Sequence, residues 1–305
     1  MATLFDRRNR RWFLVGGLML LAGGCSSLRG QRVVSESIAT SRQLSREGMA
    51  AMELGDLPRA QELLDNAVTT SPTDIDARRQ LAEVLWQNGS TPEAVVHMEA
   101  AVQLDPRHAP TIVRAGEMLL ASGATNRALQ RAEQAIALDP TLAGAWALRG
   151  RVYRRQGRAE QALADLQQAL RFAPHSTEAL WEAAEAQYDL GRPQRSLTTL
   201  HHLLDVYPAG EVPQRVLWLE GTVYTAMGRH QDAAQSLCAA SQRGEPRPEL
   251  LYALAQAERA AGDPAAAAQT VRRALAVDQA HQPSQVLLAQ LEGSLAPERG
   301  GVIRR

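Results

Sequence analysis

The sequence predicts an all-α protein, a solenoid of about seven helix–turn–helix repeats closed by a C-terminal capping helix. Three observations predict it. Gly55, Gly89, Gly123, Gly157 and Gly191 stand 34 residues apart, Gly228 follows 37 later, and Gly262 another 34 after that. Small residues keep step with them: Ala60, Ala94, Ala128, Ala162, Ser196, Ala233 and Ala267 lie five residues on, and Ala67, Ala101, Ala135, Ala169, Leu203, Ala240 and Ala274 twelve. The 305 residues are 45% hydrophobic but only 4% aromatic, and alanine and leucine carry most of that apolar content. Such a composition favours helix over sheet and is too apolar for a disordered chain.

The chain opens on a basic stretch, Asp6 to Arg11, followed by the short apolar run Trp12 to Ala22. About 11 residues cannot cross a hydrocarbon core that needs about 20, so residues 1–24 read as a signal peptide. Leu21-Ala22-Gly23-Gly24-Cys25 resembles a bacterial lipobox, in which the cysteine is acylated with diacylglycerol and becomes the mature N-terminus. Ala22 stands where leucine is usual. An ordinary secreted protein with an incidental cysteine is the alternative. Arg10-Arg11-Trp12-Phe13-Leu14 resembles the core of a twin-arginine signal, so that route and the general secretory route both stay open. Residues 25–40 are polar and serine-rich and read as a flexible tether, reaching at most about 50 Å when extended. With Cys25 lipidated, the only other cysteine, Cys238, has no intrachain partner and reads as a small buried thiol.

The repeats span 41–74, 75–108, 109–142, 143–176, 177–210, 214–247 and 248–281. In each, the central glycine can adopt the left-handed conformation that closes a first helix. Pro58, Pro92, Pro193 and Pro264 then fall where a second helix starts and proline is tolerated. Gly48, Ala82, Gly116, Gly150, Ala184, Gly221 and Ala255 are small where the two helices cross, and Leu44, Ile112, Trp146, Leu180, Leu217 and Leu251 fill the space beside them. Pro72, Pro106, Pro140, Pro174 and Pro208 end second helices. The fifth repeat departs with Ser196 and Leu203, and Glu211-Val212-Pro213 adds three residues before the sixth, which we read as a local kink. Residues 282–296, with Val286, Leu287, Leu288, Leu291 and Leu295 apolar, form a helix that caps the stack. Residues 297–305 are a disordered tail.

Residues 143–176, with Trp146, Gly150, Tyr153, Gly157, Ala162, Leu166, Ala169 and Pro174 in register, resemble the tetratricopeptide repeat. The resemblance covers residues 41–281 and implies a right-handed superhelix whose first helices line a concave groove. It also implies which positions face that groove: the second, fifth, ninth, twelfth and thirteenth of each repeat. These are Arg79, Glu83, Trp86 and Glu117, then Arg151, Arg154 and Arg155, then Glu178, Trp181, Glu185, Tyr188 and Asp189, then Arg215 and Trp218, and last Tyr252 and Arg259. Tryptophan, tyrosine and arginine are the usual anchors of interfaces. Two other readings stand beside this one: the rings pack between neighbouring repeats, and the arginines bridge to the acidic row of the fifth repeat. The carboxylate clamp of chaperone-binding relatives needs lysine and asparagine in the groove. These positions have neither, so no chaperone tail is implied.

No lysine occurs, and all 33 basic side chains are arginine. That excludes a Walker A loop, a pyridoxal Schiff base and a lysine general base, each of which needs an ammonium on a flexible stem. Formal net charge is zero, so no basic field points to nucleic acid. No nucleophile, metal or zinc-protease motif appears, and adjacent His201 and His202 read as solvated. The sequence therefore predicts no catalytic residues, no metal and no small-molecule cofactor. It predicts a scaffold held to a bacterial envelope membrane through Cys25, facing the periplasm or exterior and binding protein or peptide partners in its groove. A regulatory subunit of a periplasmic enzyme is the second reading, and a carbohydrate binder using its tryptophans the third.

Overall fold

The computed structural model describes residues 24–208 and 210–295. The expected signal peptide, apart from Gly24, and the expected tail at 297–305 lie outside the described residues. Among these there are fifteen helices and no strand. They form two compact bodies that divide between Arg127 and Ala128. The first holds α1 (Gly24–Glu53), α2 (Leu57–Thr70), α3 (Ile75–Gln87), α4 (Thr91–Leu104) and α5 (Ala109–Ala121). The division falls in the first turn of α6 (Thr125–Leu138). The second body continues with α7 (Ala143–Arg155), α8 (Ala159–Phe172), α9 (Thr177–Asp189), α10 (Pro193–Val206) and α11 (Gln214–Ala226). It ends with α12 (His230–Ser241), α13 (Pro248–Ala260), α14 (Pro264–Val277) and α15 (Gln282–Leu295).

Each repeat becomes a helix pair for identifiable reasons. The central glycines all have positive φ, from 66° at Gly191 to 93° at Gly262. At Gly157 the turn closes with Gly157 N–H on the Arg154 carbonyl and Arg158 N–H on that of Tyr153, which satisfies carbonyls at the helix end. Second helices start on a proline or just before one in α2, α4, α10 and α14. Helices α3, α5 and α9 are capped by side chains: Asp74 Oδ1 accepts from the N–H groups of Asp76 and Ala77, His108 Nδ1 from that of Thr111, and Ser176 Oγ from that of Ala179. Helices α2, α4, α6, α8 and α10 stop two residues before a proline, whose ring disfavours helical backbone in the residue ahead of it. Helix α14 stops at the same register with Gln279 in that place, so proline is not the only terminator.

At Gly48, Gly150 and Gly221 the two helices of a repeat meet at the small residue of the first. A Cβ on Gly150 would stand 2.8 Å from Leu166 Cγ and 3.2 Å from the Ala162 carbonyl oxygen, and one on Gly221 would stand 2.5 Å from Leu237 Cγ. In the second body every helix from α7 onward packs on the next, and α7, α9, α11 and α13 also pack on one another in that order. First helices thus form a continuous wall there, the stacking of a solenoid. The core between α9 and α13 is built on Leu180, Leu200, Leu203, Val216, Val223, Leu237, Leu250 and Leu254.

The irregular fifth repeat keeps its packing. Ser196 is fully buried, and its hydroxyl donates to the Ala184 carbonyl at 2.8 Å, while Leu203 is fully buried. The inserted Glu211-Val212-Pro213 does not interrupt the stack: α10 and α11 stay in contact, and Tyr207 and Val212 pack on the core. Helix α15 packs on α13 and α14 through Leu287 and Leu291. Cys238 is half-buried, with Gln242 Nε2 at 3.6 Å from its sulfur, rather than fully buried.

One expectation is corrected. Residues 25–40 are not an irregular tether but part of α1, which runs unbroken from Gly24 to Glu53. The first proline in the chain is Pro58, so nothing stops the helix from propagating backwards out of the first repeat. No described helix is long and apolar enough to cross a membrane.

The close approach at Gly150 yields a test. Gly150→Leu forces α7 and α8 apart and lowers stability by about 1–3 kcal/mol. Denaturant unfolding monitored by circular dichroism reads this as a lower midpoint, and an unchanged midpoint means that the helix crossing is not where we place it.

Candidate partner-binding surface

Each body presents part of the candidate surface, and the chemistry of the two differs. In the first body Arg114 on α5 reaches α3, where its Nε and Nη2 donate to the two oxygens of Glu83, both at 2.7 Å. Its Nη1 donates to Glu117 at 3.1 Å. These hydrogen bonds raise the guanidinium pKa further, beyond what burial takes away. The same guanidinium lies 5.9 Å from the centre of the Trp86 ring. Arg79 pairs with Asp76 at 3.3 Å. Beside them is a cavity of about 320 Å³ lined by Met49, Met52, Met98, Gln80 and Thr111 among others.

In the second body the groups on α7 and α9 neutralise each other. Arg154 Nε donates to Glu182 at 2.7 Å, its Nη2 lies 2.8 Å from Glu185, and Asp189 is at 3.9 Å. Arg151 pairs with Glu178. Burial opposes the charge on Arg154, but the three carboxylates outweigh it and its pKa is raised. Glu185 feels burial most strongly, which raises its pKa against the lowering pull of Arg154. Arg155 is exposed at the end of α7.

Farther along the wall the pattern changes. Trp181 on α9 and Trp218 on α11 line one cavity of about 310 Å³ with Arg215, Leu219, Thr222 and Arg247. The Arg215 guanidinium lies 5.2 Å from the centre of the Trp181 ring, and that of Arg247 5.8 Å from the Trp218 ring. Both rings, and Tyr188, are half-buried against the core on one side. Packing between repeats and exposure to a groove therefore both describe the same tryptophans.

Tyr252 and Arg259 are not brought to this cavity. The Tyr252 hydroxyl accepts from Gln256, its ring lies edge-on to His281 at 5.8 Å, and Arg259 donates to Gln290 on α15 at 2.9 Å. They join α13 to the residues that follow it. The two adjacent histidines are exposed, as expected, and each also has a neighbour. His201 Nε2 lies 3.3 Å from the Tyr224 hydroxyl and 3.6 Å from Glu220, and His202 stacks edge-on against His175 at 5.6 Å. Ser236 donates its hydroxyl to Glu220 at 2.8 Å, and both side chains are buried. Among the described residues no group of three or more histidine, cysteine or acidic side chains could hold a metal.

Models of the tetratricopeptide repeat match residues 51–110 and 153–212, residues 132–164, and residues 218–283. The chain belongs to the tetratricopeptide repeat family. No curated protein matches it. Among solved structures it is similar to a tetratricopeptide repeat protein from Parabacteroides merdae ATCC 43184, with 18% identity, a TM-score of 0.61, and coverage of 83% of this chain and 99% of that one. It is similar to PilW, a widely conserved type IV pilus biogenesis factor, with 19% identity, a TM-score of 0.61, and coverage of 66% and 92%. It is similar also to YrrB, a protein with an unusual peptide-binding site, with 16% identity, a TM-score of 0.53, and coverage of 62% and 96%. At such identities the likeness is one of fold.

Tetratricopeptide positions alone miss part of the surface. Arg114 and Glu182 occupy the sixth position of their repeats, outside the inward set, and Arg247 is the last residue of the sixth repeat, at the N-cap of α13. The signal for the first two was charge: Glu83 and Arg114 are complementary groups on successive first helices, as are Arg154 and Glu182. For Arg247 the signal was an arginine just ahead of Pro248, where a side chain leaves the helix end and turns along the wall.

The arginine cluster predicts a pH effect. Arg154→Met leaves Glu182 and Glu185 half-buried and without their counter-charge, at a cost of about 1–3 kcal/mol near neutral pH. Because the variant also loses the group that lowers the Glu185 pKa, Glu185 takes up a proton more readily. The deficit relative to wild type then shrinks as pH falls into the carboxylate range. Paired urea titrations at pH 7 and in mild acid measure this, and a deficit that grows on acidification contradicts it.

Proposed function

We propose that this tetratricopeptide-repeat scaffold binds an extended peptide or protein segment on the wall formed by α9, α11 and the start of α13, and works in assembly at a bacterial envelope. The observation that carries the proposal is the cavity between Trp181 and Trp218. Two large rings that each pack on the core while lining an open cavity are rigid anchors: they supply desolvated area without the entropy cost of ordering a flexible side chain. The neutralised row on α7 and α9 supports the wall and sets its charge. YrrB has a peptide-binding site and PilW is a type IV pilus biogenesis factor; both agree with this reading.

Attachment belongs to the same proposal. Cys25 follows a short apolar run and small residues, and diacylglycerol on its sulfur supplies two chains, enough for stable anchoring where one chain holds only reversibly. The scaffold then faces the periplasm or exterior.

Two outcomes test it. Trp181→Ala with Trp218→Ala weakens capture of the cellular partner by at least about 2 kcal/mol while helicity by circular dichroism is kept; normal capture by a folded double variant places recognition elsewhere. Cys25→Ser moves the protein from the membrane fraction to the soluble one, and a variant that still sediments with membranes has another anchor.

A further inference from the structure

We infer that the Trp181–Trp218 cavity selects a segment in which a large apolar side chain is flanked by carboxylates, an acidic peptide rather than a neutral or basic one. This rests on the groove reading above and names the chemistry of its occupant. Along the wall, ring and cation alternate: Trp181 on α9, Arg215 over it from α11, Trp218 on α11, and Arg247 over it from the cap of α13. Arg215 and Arg247 are both exposed, and among the described residues neither makes an ion pair. Their neighbours on α7 differ, because Arg151 and Arg154 are met by Glu178, Glu182, Glu185 and Asp189. Glu185, whose pKa Arg215 helps to pull down, is already held by Arg154.

The rest of the lining adds no charge. Leu219 is apolar, and the Thr222 hydroxyl donates to the Trp218 carbonyl at 2.8 Å. An occupant therefore meets a shallow, open, largely apolar depression of about 310 Å³ rimmed by two guanidiniums that make no ion pair among the described residues. A side chain of leucine or phenylalanine size enters the depression, and carboxylates beside it complete the guanidiniums with charge-assisted hydrogen bonds. Stacked rings and arginines also suit single-stranded nucleic acid, but a uniform polyanion would have to run past the exposed carboxylates of Glu178 and Asp189 on α9. A peptide carries its negative charge only where the arginines stand.

The test uses the full chain in detergent and fluorescein-labelled twelve-residue peptides with a central Glu-Phe-Glu-Leu-Glu segment between Gly-Ser flanks, read by anisotropy. The acidic peptide binds. Replacing its glutamates by lysine, or its apolar residues by serine, weakens binding at least about tenfold. Arg215→Glu with Arg247→Glu, both at exposed positions and checked for helicity, inverts the preference toward the lysine peptide. Equal binding of the lysine peptide, tighter binding of a twelve-nucleotide single strand, an unaltered preference in the charge-reversed variant, or no binding of the acidic peptide overturns the inference. If the acidic preference is absent while Trp181→Ala with Trp218→Ala still sheds the cellular partner, the inference falls and the groove reading stands. If that double variant keeps its partner, the groove reading falls with it.

Discussion

The structure depends on how closely two helices of one repeat can approach. At Gly48, Gly150 and Gly221 a leucine sixteen residues later comes within van der Waals range of where a side chain would begin. Such an approach fixes the relative rotation of the pair, because a leucine seated over bare backbone has few alternative positions. Rotation of the pair decides which face of each first helix meets the next repeat and which face is left over. The wall of α7, α9, α11 and α13 follows from this packing before any polar group is considered, and Trp181, Tyr188 and Trp218 sit at its edge, packed on the core on one side.

Charge then divides that wall. Between α7 and α9 every described arginine–carboxylate pair lies across successive repeats, so the ion pairs act as lateral ties between first helices as much as surface decoration. Arg114 does the same between α3 and α5 in the first body. Half-buried pairs of this kind are costly to break from one side, since the partner left behind is partly desolvated. Where the ties stop, at α11, the guanidiniums rest on indole rings instead. The arginine's neighbour thus changes from carboxylate to ring along the wall.

Much of the fold was legible in the sequence because its constraints are local and repeat. A glycine with positive φ, a proline at a second-helix start and a small residue at the crossing each leave a mark at a fixed register, and seven repetitions make the register unambiguous. What the sequence did not reveal depended on less local facts. Helix α1 extends through residues expected to be a tether because composition says what a segment favours and not whether a neighbouring helix will propagate into it. Trp181 and Trp218 were legible as neighbours because both are fifth positions of successive repeats. Arg247 was not, since it ends the sixth repeat as the cap of α13, outside the positions that face the groove. The pairing of Arg151 and Arg154 was visible only as one of two alternatives, because a sequence shows opposite charges but not whether four carboxylates reach two guanidiniums. Tyr252 and Arg259 share inward positions with the cavity residues yet serve the junction with α15, where the repeat pattern has already ended.

The unbroken course of α1 bears on how the scaffold would stand off from a surface. A coil of residues 25–40 could span anything up to its contour length and would let the folded body tumble freely. The same sixteen residues as helix rise only about 24 Å and behave as a spacer of set height. Each residue of a helix also turns the chain by about 100°, so a helical spacer transmits direction as well as distance. On the proposal that Cys25 is lipidated, the first body would be held at a fixed height and presented with a preferred side toward the bilayer. Adding or removing a single residue in the spacer would swing it around the helix axis.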